Sequence, residues 1–310
     1  NPWTHLYKTG AYSKSWHRND QLIDEEGHAT DLITREAVEF IGNKDESTPF
    51  FMYVPFTAVH TPFDEPEPYL ARCEHISDQR RQYAASCVHL DESIGKIIDA
   101  LEKTDQRDNT VIIFLSDNGG TNGDDSKAYP DTQRTTLIQG LNKPLRGWKK
   151  QLWEGGIRVP ALINWPGRLA PGRVEEAIHV TDWLPTLASM IGHKTDPANP
   201  IDGVDLWPLF TGQRAPVAWD TRTLYSLGVR AKSATLHHGP WKLIVNGAPN
   251  GHQLFNLQQD PTEKNDVADQ NFPTVEDLLE RLERASQLDN AALPNRENDD
   301  KNTTSVPAGQ

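Results

Sequence analysis

Val111-Ile-Ile-Phe-Leu-Ser-Asp-Asn-Gly-Gly120 restricts the fold more than any other stretch of the chain. Apolar, mostly β-branched residues run from Val111 to Leu115 and give way, after Ser116, to an acid, an amide and two glycines. A run this short, bounded by glycine, predicts a strand of a parallel sheet covered on both faces. In open α/β sheets the carboxyl edge of such a strand is where ligands bind. Asp117 and Asn118 offer a carboxylate and an amide carbonyl, the oxygen donors that Ca²⁺ or Mg²⁺ take, or else they cap a turn. Gly119 and Gly120 allow another backbone to approach closely.

The 310 residues suffice for one large α/β domain with a smaller companion. No apolar run approaches the roughly 20 residues of a membrane span, and the amino-terminal residues carry no basic-then-apolar targeting pattern. The chain begins at Asn1 in sequence that reads as mid-domain, so a further segment is expected upstream. A net charge of −13 disfavours nucleic acid as partner. It does not exclude a small anion, because screening over about 8 Å leaves nearby cations in control. Cys73 and Cys87 lack zinc-site spacing and read as two buried thiols.

Residues 1 to 29 read as loop or short hairpin. Thr30 or Asp31 can cap a helix to Asn43 with Leu32, Ile33, Ala37, Phe40 and Ile41 on one face. Phe50-Phe-Met-Tyr-Val54 predicts a second buried strand, leaving through a loop with two prolines. A long helix from Gln79 to Lys103 carries the stripe Tyr83, Cys87, Leu90, Ile94, Ile97, Ile98 and Leu101. The strand at Val111 then completes a β-loop-α-β order. Residues 121 to 143 form a long polar loop of the functional kind. A short strand at Ala161–Trp165 and a helix at Asp182–Ile191 follow. After Thr211, short runs at Leu224–Val229, Trp241–Val245 and His252–Leu257 suggest an antiparallel sheet, and Thr274-Val-Glu-Asp277 opens a helix to Leu288. The expected division is a catalytic domain over residues 1–213, a small α+β domain over 214–289 and a disordered tail over 290–310.

Two further elements join Asp117 and Asn118. His60 sits just past the second apolar run, in Thr57-Ala-Val-His-Thr-Pro62, and Pro144 to Pro160 interleaves Arg146, Lys149, Lys150 and Arg158 with glycine and Trp. Each reads alone as a loop histidine and a solvated basic loop. Near a bound cation they can hold an anion.

Together these segments resemble the sulfatase family, in the arylsulfatase branch with the pattern of N-acetylgalactosamine-4-sulfatase. The likeness rests on Pro49 to Pro62, Ser116 to Gly120, Pro144 to Pro160, Thr181-Asp-Trp-Leu-Pro-Thr186 and Ile201-Asp-Gly-Val-Asp205, in family order. It implies an alkaline phosphatase-like α/β fold: a mostly parallel sheet flanked by helices, incomplete at the N-terminus, with a small C-terminal α+β domain. It implies a sulfuric ester hydrolase in which Asp117 and Asn118 are ligands to a divalent cation, Ca²⁺ with Mg²⁺ as alternative. His60 would contact sulfate and leaving-group oxygen as general acid, and Lys149 would bind sulfate oxygens. Lys150 would join it, although the family often has a small residue there, and Arg146 would reach the anion or support the loop. Glu154 and Arg158 are expected to pair internally, with backbone or with each other. Family members are mostly exported, periplasmic or lysosomal.

One departure is large. Sulfatases oxidise the Cys or Ser of a C/S-x-P-x-R motif to formylglycine, and no such motif occurs in this sequence. Asp117 and Asn118 supply at most about three of the six to eight oxygens Ca²⁺ takes. The formylglycine and the other metal ligands are therefore expected in an upstream N-terminal segment, without which the chain is inactive. The partners are that segment and a small-molecule or glycan sulfate ester. The rival readings are an alkaline phosphatase-like phosphoric ester hydrolase and a non-catalytic module that binds sulfated glycan. The absence of an Asp-His dipeptide disfavours the two-metal phosphatase pattern.

Overall fold

The computed structural model describes residues 16–45, 47–124, 137–196, 198, 201–212, 221–229, 232–246 and 251–288. The expectations placed on residues 1–15, on the middle of loop 121–143 and on the tail from 290 lie outside these. In chain order come β1 (His17–Arg18), β2 (Gln21–Leu22), α1 (Ala29–Asn43), α2 (Glu67–Arg72), α3 (Asp78–Lys103) and β3 (Ile112–Leu115). Next are β4 (Asn122–Asp124), β5 (Leu137–Gln139), α4 (Glu154–Ile157), β6 (Ala161–Asn164), α5 (Trp183–Met190) and α6 (Trp207–Phe210). The last are β7 (Thr223–Leu227), β8 (Ser233–His238), β9 (Trp241–Asn246), β10 (His252–Asn256) and α7 (Phe272–Leu288). The described chain divides into two units. One gathers residues up to 151 with 155–175 and 207–212; the other takes 152–154, 176–206 and the described residues beyond 212.

In the first unit, α1 starts where His28 Nδ1 accepts the Thr30 N–H at 3.2 Å, so the cap is His28 and not Thr30 or Asp31. Leu32, Ala37 and Ile41 are buried as the periodicity required, while Phe40 stays exposed and meets the Phe50 ring edge-on. Ile41, Ala100 and Leu101 form a core with Val38, Phe50, Met52, Ile97 and Ile112. The segment Phe50–Val54 belongs to this core on one side only. It forms no ladder among the described residues, and Phe51 and Tyr53 project outward, 79% and 77% exposed. The run expected as a doubly covered strand is thus extended chain with one bare apolar face. α3 departs from its apolar stripe as well: Ala85, Ser86, His89 and Ser93 are buried, whereas Cys87 is exposed. Cys73 alone satisfies the expectation of buried thiols, and both cysteines are free.

β3 pairs with β6 in antiparallel register, Phe114 opposite Leu162. Every ladder among the described residues runs antiparallel. Parallel neighbours need a long crossover, usually helical. The chain between β3 and β6 instead folds back on itself, and Ser116 N–H reaches Pro160 O at 3.1 Å.

A buried charge network lies behind this core. His89, with no solvent exposure, donates from Nδ1 to Glu65 at 2.8 Å and from Nε2 to Asp31 at 3.1 Å. Tyr69 of α2 stacks on its ring with centroids 4.1 Å apart, and the His28 ring lies 4.8 Å away.

In the second unit, β10-β9-β8-β7 form an antiparallel sheet. Strand alternation puts Leu236, Leu243 and Leu254 side by side on one face, against Val275 and Leu278 of α7. The opposite face carries Ile244 and Phe255, packed with Leu152. β8 was not expected, because Ser-Ala-Thr-Leu-His-His lacks an apolar alternation. Thr235 is buried there and donates its hydroxyl to Leu243 O at 2.9 Å. Lys242, 1% exposed, holds Glu154 and Glu263 at 2.8 Å each, so Glu154 pairs with a lysine that the expected pairing with backbone or Arg158 had not included. Burial pushes the Glu263 carboxyl above its usual range against the pull of the ammonium.

Removing Lys242 leaves two carboxylates buried without their cation. Lys242→Ala is expected to destabilise the chain by about 3–5 kcal/mol, and adding Glu263→Gln should restore part of that loss in urea unfolding. A loss under about 1 kcal/mol would show that the triad is not desolvated as described. For His89, burial opposes the charged ring, but the hydrogen bonds to Asp31 and Glu65 raise its pKa from 6.5 to about 9. The folded state therefore binds this proton more tightly than the unfolded chain. Its contribution, about 3 kcal/mol, is full below about pH 6.5 and lost as pH rises through about 9. Unfolding measured from pH 6 to 10 should show this decline, and His89→Gln should flatten it.

Candidate active site

The end of β3 is tied to the basic loop by main-chain hydrogen bonds. Gly119 N–H donates to Gly156 O at 3.0 Å, and any Cβ at residue 119 would overlap the Gly155 carbonyl oxygen. Only glycine permits this approach. Gly120 O accepts from Lys149 N–H at 3.1 Å and from Asn142 Nδ2 at 2.8 Å, while Gly120 N–H donates to Asn142 Oδ1 at 2.9 Å. Asn142 Nδ2 also reaches Gly147 O at 2.9 Å, and Gly155 N–H reaches Arg146 O at 2.6 Å. The fold thereby brings the backbone of Lys149 against the residues that follow Asp117 and Asn118.

The side chains around this knot have distinct surroundings. Asp117 is exposed and accepts no hydrogen bond from the described residues. Asn118 Nδ2 donates to Gly119 O at 3.1 Å, which leaves its Oδ1 as an acceptor. A carboxylate and an amide oxygen at one strand end are donors suited to a hard cation. Arg146 and Lys149 are half-buried in the same loop, and Lys150 is exposed with a left-handed backbone at φ 75°. Trp148 N–H bonds Gln151 Oε1 at 2.9 Å and Gln151 N–H bonds Trp148 O at 3.0 Å, closing the turn that carries both lysines.

His60 stands in a separate loop of the same unit. No hydrogen bond or ion pair among the described residues links it to Asp117, Asn118 or Lys149. It is exposed, its N–H donates to Thr57 O at 2.9 Å, and its Nδ1 lies 2.7 Å from Thr61 O. A carbonyl oxygen can only accept, so Nδ1 carries the proton and Nε2 faces outward. Immediately after His60 the chain dives inward: Thr61, Pro62, Phe63 and Glu65 are buried. Phe63 meets the Tyr83 ring edge-on and Glu65 N–H donates to Gln82 Oε1 at 3.2 Å, both on α3.

His28, Asp31 and His89 hold ligand-type atoms within 4.8 Å of one another. Their hydrogen bonds describe an ion-pair network: both ring nitrogens of His89 serve carboxylates, and His28 Nδ1 accepts a backbone N–H. Reading the sequence by motif passed over Asn142, Glu65 and His89. Asn142 sits among glycine and proline, where an amide reads as ordinary turn chemistry, and His89 falls off the apolar stripe of α3. No local pattern marks either one.

Residues 3–193 match the sulfatase family, and residues 146–289 match the family described as N-sulphoglucosamine sulphohydrolase, C-terminal. Mouse arylsulfatase J is 30% identical over 87% of this chain and 50% of its own length. Human N-acetylgalactosamine-6-sulfatase is 31% identical over 68% of the chain and 37% of its length. The chain thus spans about half the length, or less, of these curated relatives. Among solved structures, Ps i-CgsB in complex with k-i-k-neocarrahexaose superposes with TM-score 0.74 at 33% identity, over 86% of this chain and 57% of that one. Its neighbours share the alkaline phosphatase-like α/β fold. On the sequence match and the fold together, the chain belongs to the sulfatase family.

Proposed function

We propose that this chain carries the sulfate-binding and leaving-group half of a sulfuric ester hydrolase acting on a sulfated glycan. The observation that carries the reading is the Gly120 knot, which holds the Lys149 loop against the strand end bearing Asp117 and Asn118. Cleavage at sulfur requires positive charge on the sulfonyl oxygens and a proton for the departing ester oxygen. Lys149 supplies the first, with Lys150 and Arg146 in the same loop adding to the cationic field. Asp117 and Asn118 would hold a hard divalent cation, Ca²⁺ or Mg²⁺, which when bound contributes further positive charge at the sulfate. His60 supplies the proton: with Nδ1–H held by Thr61 O, the protonated ring presents Nε2–H outward for the leaving oxygen.

The nucleophile comes from elsewhere, because the sequence has no C/S-x-P-x-R motif for formylglycine. An upstream segment of the same protein supplies it in this reading. The extended chain at Phe50–Val54 supports such a partner. Its backbone forms no ladder among the described residues, and Phe51 and Tyr53 lie bare beside it. Strand addition there would cover both the peptide groups and the rings. The neocarrahexaose bound by Ps i-CgsB supports a glycan ester as substrate class.

Co-expression with the upstream segment should yield a complex that releases sulfate from a sulfated oligosaccharide and leaves the matching phosphate ester untouched. Phosphate release with no sulfate release would favour the phosphatase reading, and tight binding without turnover the binding module. In the active complex, Lys149→Ala is expected to lower kcat about 10²–10³-fold and His60→Ala about 10²–10⁴-fold. Chelation should abolish turnover, and added Ca²⁺ should restore it. Full activity after either substitution would remove that residue from the reaction.

A further inference from the structure

We propose that Glu65 is a positioning residue for His60, locked by the chain Asp31–His89–Glu65, of which His89 and Glu65 are buried. This rests on the reading of His60 as proton donor. The imidazole itself is exposed, so nothing in its own surroundings other than the Nδ1 bond to Thr61 O orients it. That carbonyl belongs to a short segment in which Thr61, Pro62, Phe63 and Glu65 are buried. The direction of the His60 ring therefore depends on where this short segment is anchored, and a misplacement of about 1 Å can slow a reaction 10²-fold.

Glu65 is the anchor. Its N–H is held by Gln82 of α3, one carboxylate oxygen accepts from His89 of α3, and the other lies 3.8 Å from His28 Nε2 at the start of α1. His89 is fixed in turn by Asp31 of α1 and by the stacked Tyr69 ring of α2. Glu65, five positions after the proposed acid, is thus tied to α3 directly and to α1 and α2 through the His89 ring. An apolar residue at 65 would pack without direction, whereas a carboxylate between donors fixes the backbone in both rotation and depth. A metal bound through His89 would displace one of the ring protons that serve Asp31 and Glu65.

The test uses the co-expressed complex, with kinetics and long-range proton–nitrogen NMR of the imidazoles. Glu65→Ala is expected to lower kcat about tenfold or more with KM altered less than about twofold, and to turn the Nδ1-protonated His60 signal into a mixture of tautomers. Glu65→Gln keeps an acceptor for His89 and should retain most of the rate. If Glu65→Ala does not fold, His89→Gln replaces it with the same expected outcomes. Unchanged kcat and an unchanged His60 tautomer in the variant overturn the proposal, as does one equivalent of zinc held by the wild-type cluster. A His60→Ala complex with normal turnover instead sinks the proton-donor reading, while the tautomer signal still judges the clamp.

Discussion

The Gly120 peptide group is the point on which the candidate site depends. Its carbonyl accepts from both Lys149 N–H and the Asn142 amide, and its N–H is taken by the same Asn142 side chain. A strand end would otherwise leave these groups to solvent. Here they are spent on holding a basic loop in register with an acid and an amide. Gly119 makes the approach sterically feasible, because a side chain there would collide with the Gly155 carbonyl. Placing the loop by backbone hydrogen bonds does not engage the Lys149 ammonium.

Both units also bury charge, and they do so by one rule. His89 between Asp31 and Glu65, and Lys242 between Glu154 and Glu263, each set one cation against two carboxylates. Such groupings add little net stability over apolar packing, yet losing a single member is costly. Their value lies in direction, since a hydrogen-bonded ion has one geometry where a leucine has several. The first grouping holds the loop that carries His60 to three helices. The second joins Glu154 to β9 and the Glu263 turn within the smaller unit.

Much of the element order could be read from periodicity, for physical reasons. The stripe of α1, part of that of α3 and the run that becomes β3 are local patterns, and local patterns survive into any fold that buries them; the capping-box reading of Thr274 did not hold, because α7 already begins at Phe272. Where polar residues supply the core, periodicity gave no warning: β8 hides Thr235 through a main-chain hydrogen bond, and α3 buries Ser86, His89 and Ser93 in place of part of its apolar stripe. The run at Phe50–Val54 was apolar enough to predict a covered strand, but coverage depends on what lies beside it. Antiparallel pairing of β3 with β6 was equally out of reach, since it joins residues about fifty positions apart that share no local pattern.

Residue chemistry along the chain was sufficient to propose Asp117, Asn118, His60 and Lys149 as candidates, because donor types, glycines and motif order are written in one dimension. It was also sufficient to assign the family. The three-dimensional arrangement alone decided that Asn142 welds the basic loop to the strand end, that Lys242 pairs with Glu154, and that Glu65 meets His89, which in turn meets Asp31 of α1 and Tyr69 of α2. Those are contacts between residues far apart in number. No short-range propensity encodes them, because their free energy exists only once burial has removed the water that would otherwise satisfy the same groups.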